Sequence, residues 1–187
     1  MSAFFRLLAH RAGRRAPAFV LLSSLCAIAQ AAPGVIVWPP GWQPEPLDPA
    51  AHRAPGAERQ RAAMADANGD PAMVVELTRS AVARDHHVDL GAVVLAMRKA
   101  VQTDFAKGGY QSACTPVHAA TLGDLPAQET TCKVLLNGGH VMTQTLVAAT
   151  LDDAAWALSY AGSVQGYAAH ESAVAAIRDS LKFHPQP

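Results

Sequence analysis

The chain has 187 residues, the size of one domain with an appendage. Half of it is hydrophobic and 16% is charged, a balance that excludes a disordered polar tail and a long coiled coil. Fifteen basic residues match fifteen acidic ones, but four of the basic residues (Arg6, Arg11, Arg14, Arg15) and no acid lie in the first 31 positions, so the remainder is acidic and unlike a nucleic-acid binder.

Residues 1–31 read as a secretory signal. A basic stretch ends at Arg14 and Arg15, an apolar run follows from Ala18 to Ala29, and Ala29, Gln30 and Ala31 form a small-residue site after which cleavage is expected. The run is about a dozen residues, whereas a bilayer-spanning helix needs ~20, so a permanent anchor is the poorer reading. Leu25 stands before Cys26 where a lipoprotein signal wants a small residue. Ala16, Pro17 and Ala18 follow the paired arginines where a twin-arginine signal wants an aromatic and a leucine. The expectation is a Sec-exported periplasmic or secreted protein with no membrane span once the signal is removed.

Beyond the signal, residues 32–57 form an N-terminal strand and a proline-rich loop, and 58–187 complete a single domain. Val35, Ile36 and Val37 predict a strand over Gly34 to Trp38, stopped by Pro39 and Pro40. Pro44, Pro46, Pro49 and Pro55 cannot donate ladder bonds, so 43–57 is expected to be an extended surface loop. Arg59 to Asp66 and Met73 to Thr78 read as two strands joined by the Asn68, Gly69, Asp70, Pro71 turn, with an alanine-rich helix through Arg59 to Ala67 as the alternative. Asp89 caps a helix from Leu90 to about Lys107, striped by Val93, Val94, Met97, Val101 and Phe105 and ended by Gly108 and Gly109. Four short strands follow: Pro116 to Leu122, Thr130 to Leu136, Val141 to Thr150 and Ala154 to Tyr160. Asn137 and Gly138 give the strongest hairpin signal in the chain, and Asp152 and Asp153 mark a second turn. Tyr167, His170, Val174, Ile177 and Leu181 recur at three and four, predicting a closing amphipathic helix. The fold class is therefore α+β, an antiparallel sheet with helices packed on its faces.

Only Cys114 and Cys132 survive cleavage of the signal, and two cysteines in an oxidising compartment predict one disulfide. Closing a loop of that length stabilises the fold by roughly 3 kcal/mol in the chain-entropy model. A redox role is disfavoured because the C-x-x-C spacing is absent.

The order of elements resembles the PsbP/Mog1-like α/β sandwich of the photosystem extrinsic protein, a nuclear-transport factor and several small bacterial envelope proteins. The resemblance is carried by Trp38, Pro39, Pro40, Gly41 and Trp42, by the helix before the hairpins, by Trp156 to Tyr160, and by the closing Ser180, Leu181, Lys182 and Phe183. The chain is also similar to uncharacterised secreted bacterial families with a Trp-Pro opening and paired cysteines. These likenesses imply a fold and roles in binding and assembly, and they assign no catalytic residue.

Candidate chemistry is sparse. Asp85, His86 and His87 form the densest cluster of metal-ligand types, against the simpler reading of a solvated loop before a helix capped by Asp89. His170 and Glu171 begin a zincin pattern that Val174 breaks, and His170 is then a polar member of the helix stripe. Gly162, Ser163, Val164, Gln165 and Gly166 have the wrong register for a nucleophile elbow and fit a loop leading into a helix. Paired Asp152 and Asp153 suit a turn better than acid–base work, and no phosphate cradle or nucleotide fingerprint is present. Trp38 and Trp42 either cover one end of the core, the favoured reading, or line a ligand or partner groove. The functional expectation is a non-enzymatic envelope protein that takes an unidentified partner or small ligand and uses no cofactor. A metal-binding protein using the His/Asp cluster and a secreted hydrolase are the alternatives.

Overall fold

The computed structural model describes residues 36–45, 57–83 and 86–183, all within one compact unit. The expected signal at 1–31, Gly34, Val35, Pro46, Pro49, Pro55, Asp85, His52 and His184 lie outside the described residues. The elements are β1 (Gln43–Pro44), β2 (Glu58–Ala65), β3 (Pro71–Ala81), α1 (Leu90–Lys107), β4 (Gln111–Cys114), β5 (His118–Leu122), β6 (Leu125–Leu136), β7 (Gly139–Leu151), β8 (Ala154–Ser163) and α2 (Val164–Ser180). The strands form one sheet in the order β1-β2-β3-β8-β7-β6-β4, with β5 also paired to β6, and every pairing is antiparallel.

Turn chemistry sets the long meander. Asn137 and Gly138 both sit at positive φ (51° and 80°), as a two-residue hairpin turn whose twist matches its strands requires. Asp152 takes the same left-handed conformation (φ 52°) between β7 and β8. Helix α1 begins where Asp89 Oδ1 accepts a hydrogen bond from the Ala92 N–H at 3.0 Å, satisfying one of the donors that a helix start leaves open. It ends at Gly108, followed by Gly109 at φ 79°.

Alternation along β8 sorts its side chains into two sets. Ala154, Trp156, Leu158, Tyr160 and Gly162 are buried, and the residues between them are half-buried alanines and Ser159. The buried set packs with Val75 and Leu77 of β3, Val147 and Ala149 of β7, and Val174 and Ile177 of α2. Leu181 and Phe183 continue the cover past the helix end, with the Phe183 ring 4.7 Å from Trp156, and Tyr167 stacks on Tyr160 at 5.8 Å. Side chains of the other parity are buried farther along the sheet, at Cys132, Val134, Leu146 and Ala148, and α1 contacts β4, β6 and β7 there.

Two devices seat α2. Gly162 and Gly166 lie over the Ala72 carbonyl so closely that a Cβ would stand 2.4 and 2.1 Å from its oxygen; these glycines exist for close packing of β8 and α2 on β3. At the other end, Arg178 pairs with Glu129, its Nε donates to the Thr121 carbonyl at 2.6 Å, and its own carbonyl accepts from Gly123 N–H at 3.0 Å. A buried hydroxyl chain runs from Tyr167 to Thr145 (2.7 Å) and on to Thr131 (2.8 Å). Burial pushes the Tyr167 phenol well above its ordinary range, and the Thr145 bond offsets this only in part.

Several expectations change. No strand forms over Ile36 to Trp38: the Ile36 N–H donates to the Gln60 side chain at 3.0 Å, and the Ile36 side chain enters the core. The first strand lies instead at Gln43–Pro44, inside the stretch expected to be loop, and Pro44 is tolerated because β1 is an edge strand. Glu58–Ala65 is strand, not helix: its alanines fit a β-ladder because Ala62 is wholly buried against Val75. Strand β4 was not expected, and β6 begins at Leu125 rather than Thr130, carrying Pro126 near its start. No loop separates β8 from α2; Ser163 is both the last strand residue and the helix cap.

Candidate ligand groove

Small residues on one parity of β8 leave a hollow. Across the sheet, Arg61 of β2 stands opposite Glu76 of β3, which stands opposite Ser159 of β8, so three polar side chains form one row. The next row on the same face is Val74, Ala161 and Gln144. Phe105, near the end of α1, and Met142 wall the hollow on one side, and Pro71 and Ser163 also border it. Its volume is about 520 Å³. A second lobe of about 340 Å³ lies beyond Phe105 and Met142, lined by Tyr110, Val134 and Val141. Both lobes share Phe105, Met142 and Ser163, so they are two compartments of one trough. Such a volume lies within the range of small-molecule sites, which are mostly apolar with a few placed polar groups.

Charge at the polar end is internally balanced. Arg59 is paired with Glu76, and Arg61 with Glu45 at 3.3 Å. The Gln144 side-chain oxygen, Oε1, is buried without a hydrogen-bond partner. The Tyr110 ring meets Phe105 edge-on at 6.1 Å, holding the wall between the lobes.

Apart from Gly162 and Ser163, which border the trough, the candidate site residues singled out from sequence fall elsewhere. Trp42 is 6% exposed and belongs to the core, and Trp38 stacks on it at 5.9 Å; both serve as packing at the sheet's β1–β2 end. His86 and His87 are exposed and line a polar cavity of about 180 Å³ together with Asp152, while Asp85 is outside the described residues. Among the described residues no three His, Cys, Asp or Glu side chains are grouped as a metal set. His118 sits 3.1 Å from the Pro116 carbonyl, and His140 lies 3.0 Å from both the Met142 carbonyl and the Thr143 hydroxyl. Ser163 Oγ accepts from Gly166 N–H at 3.0 Å, a capping bond. Cys114 and Cys132 are bonded across directly opposed positions of β4 and β6, with Gln102 of α1 against the Cys114 sulfur.

Of the groove residues, sequence singles out Gly162 and Ser163 only as a failed nucleophile elbow and Phe105 only as part of a helix stripe, and none as a ligand contact. The signal was present as the large–small alternation of Ala154 to Ser163, in which every second side chain is too small to fill the space above its strand.

The fold is similar to the solution structure of cyanobacterial PsbP (CyanoP) from Synechocystis sp. PCC 6803, with a TM-score of 0.58 at 13% identity over 85% of this chain and 97% of that one. It is also similar to the crystal structure of LpqN, involved in cell envelope biogenesis of Mycobacterium tuberculosis, with a TM-score of 0.52 at 19% identity over 85% of this chain and 88% of that one. No curated protein matches the chain in sequence. At such identities the likeness shows the fold alone, and it agrees with the PsbP-like sandwich implied by the order of elements. Residues 33–183 match the model of a domain of unknown function, DUF4946, and the chain belongs to that family.

Proposed function

We propose that the protein is exported through its N-terminal signal and acts in the periplasm or outside the cell as a non-enzymatic binding protein, with a helix on each face of its sheet and the two-lobed trough as its binding site. The observation that carries this reading is the trough itself: a hollow beside α1 whose lining combines an apolar floor with one polar row. At the trough, the Ser163 hydroxyl is engaged as a helix cap, accepting from Gly166 N–H. The envelope role named for LpqN fits an exported chain of the same fold.

The test is retention of periplasmic compounds and proteins by the folded protein, compared with Ala161→Trp, which fills the trough. Material held by the natural chain and released by the variant supports the reading; identical retention by both overturns it. Hydrolysis of generic ester or amide substrates that disappears in Ser163→Ala overturns the non-enzymatic part. Stoichiometric zinc or copper binding lost on His86→Ala with His87→Ala would move the site to the cavity beside Asp152. Cell fractionation tests the location.

A further inference from the structure

Resting on the trough as the binding site, we infer that its ligand is a single-chain amphiphile with an uncharged, hydrogen-bonding head. The floor decides against a peptide. It is made of β3, β8 and β7, all interior strands with neighbours on both sides, so their backbone donors and acceptors are engaged in ladders. Beyond the single acceptor at Gln144 Oε1, a bound peptide would have to desolvate its own amides against Val74, Ala161, Met142 and the Phe105 ring, which offer no partner. A hydrocarbon chain brings no such requirement and gains from the burial.

Polarity runs in one direction along the trough. The Arg61, Glu76 and Ser159 row lies at one end, Val74 and Ala161 with Gln144 at their edge come next, and the second lobe beyond Phe105 and Met142 ends at Val141, a large apolar side chain that is 37% exposed. A head placed on the polar row puts its chain over Ala161 and between Phe105 and Met142 into the Tyr110 lobe. Each cation at the head end already faces an acid, Arg59 on Glu76 and Arg61 on Glu45, so the site has no net charge with which to hold an ionised head. Hydroxyl or amide groups can bond to carboxylate, guanidinium and serine together without bringing a charge.

A monoacylglycerol series of increasing chain length, added to the folded chain below micelle-forming concentrations, is the probe, read by titration calorimetry. Affinity should rise roughly fourfold per methylene until the far lobe is filled and then level off. It should fall at least tenfold in Ala161→Trp. Val141→Glu, a change at an exposed position that leaves the fold intact, should weaken long chains and spare short ones. Tighter binding of the matching fatty-acid anion or alkyl ammonium overturns the uncharged head. Failure of every monoacylglycerol, while other periplasmic material is still released by Ala161→Trp, overturns the amphiphile and leaves the trough standing. No release of any material by that variant overturns both.

Discussion

Strand β8 has two sides that do different work. Under α2 it presents Trp156, Leu158 and Tyr160, all buried, and the cover is completed by Val174, Ile177, Leu181 and Phe183. On the other side the same strand presents Ala155, Ala157, Ser159 and Ala161, half-buried, with the trough above the last two. One side supplies apolar burial, which drives folding; the other forgoes it and leaves a hollow of about 520 Å³. Where that second side is buried, toward β4 and β6, it is also tied covalently by Cys114 and Cys132.

The sharpest break of this contrast is a pair of neighbours. Leu158→Ala should lower unfolding free energy by about 4 kcal/mol in urea titration, because it removes a wholly buried side chain from a close-packed core. Ser159→Ala, one residue along and on the other side, should stay within about 0.5 kcal/mol. Equal losses would erase the distinction between the two sides. Next in size, Cys114→Ala with Cys132→Ala should cost about 3 kcal/mol by the loop-entropy argument. A loss under about 1 kcal/mol would mean that packing alone holds β4 to β6. Gly166→Ala should cost about 2 kcal/mol in thermal unfolding, since its Cβ would stand 2.1 Å from the Ala72 oxygen and α2 must lift to admit it.

The smallest effect at neutral pH concerns Tyr167. Its phenol is raised above the unfolded value by burial, so the folded state favours the neutral form. That contribution is fully present below pH ~10 and is lost as pH rises beyond it, because the unfolded phenol ionises first. Stability against pH should therefore fall off above pH ~10 in the natural chain and less steeply in Tyr167→Phe. Parallel curves for the two proteins would show that ionisation there is not linked to folding.

Much of the architecture was legible from local chemistry. Asp89, Gly108 and Gly109 bounded α1 because capping is a short-range interaction, and Asn137 with Gly138 fixed the β6–β7 hairpin because few residues tolerate positive φ. The Cys114–Cys132 bond matches the expectation from two cysteines in a chain read as exported. What escaped depends on partners distant in sequence. Ile36 looks like strand in isolation, yet it forms no ladder and its side chain is taken into the core. Gln43 and Pro44 become strand only because β2 is beside them. Gly162 and Gly166 cannot be told from loop glycines until Ala72 of β3 is known to lie beneath them. The trough was illegible for the same reason: Arg61, Glu76, Ser159 and Phe105 come from four elements, and no spacing rule joins them.

The position of α2 at the carboxyl end of the fold has a consequence for synthesis. As the polypeptide emerges amino end first, β2 and β3 can pair early, but Val75 and Leu77 have no cover until β8 and α2 have followed. Arg178, which ties α2 to Glu129 and Thr121, arrives almost last. A ribosome-bound chain stalled before that point therefore carries a greasy, unfinished sheet, with Val75 and Leu77 still open to water.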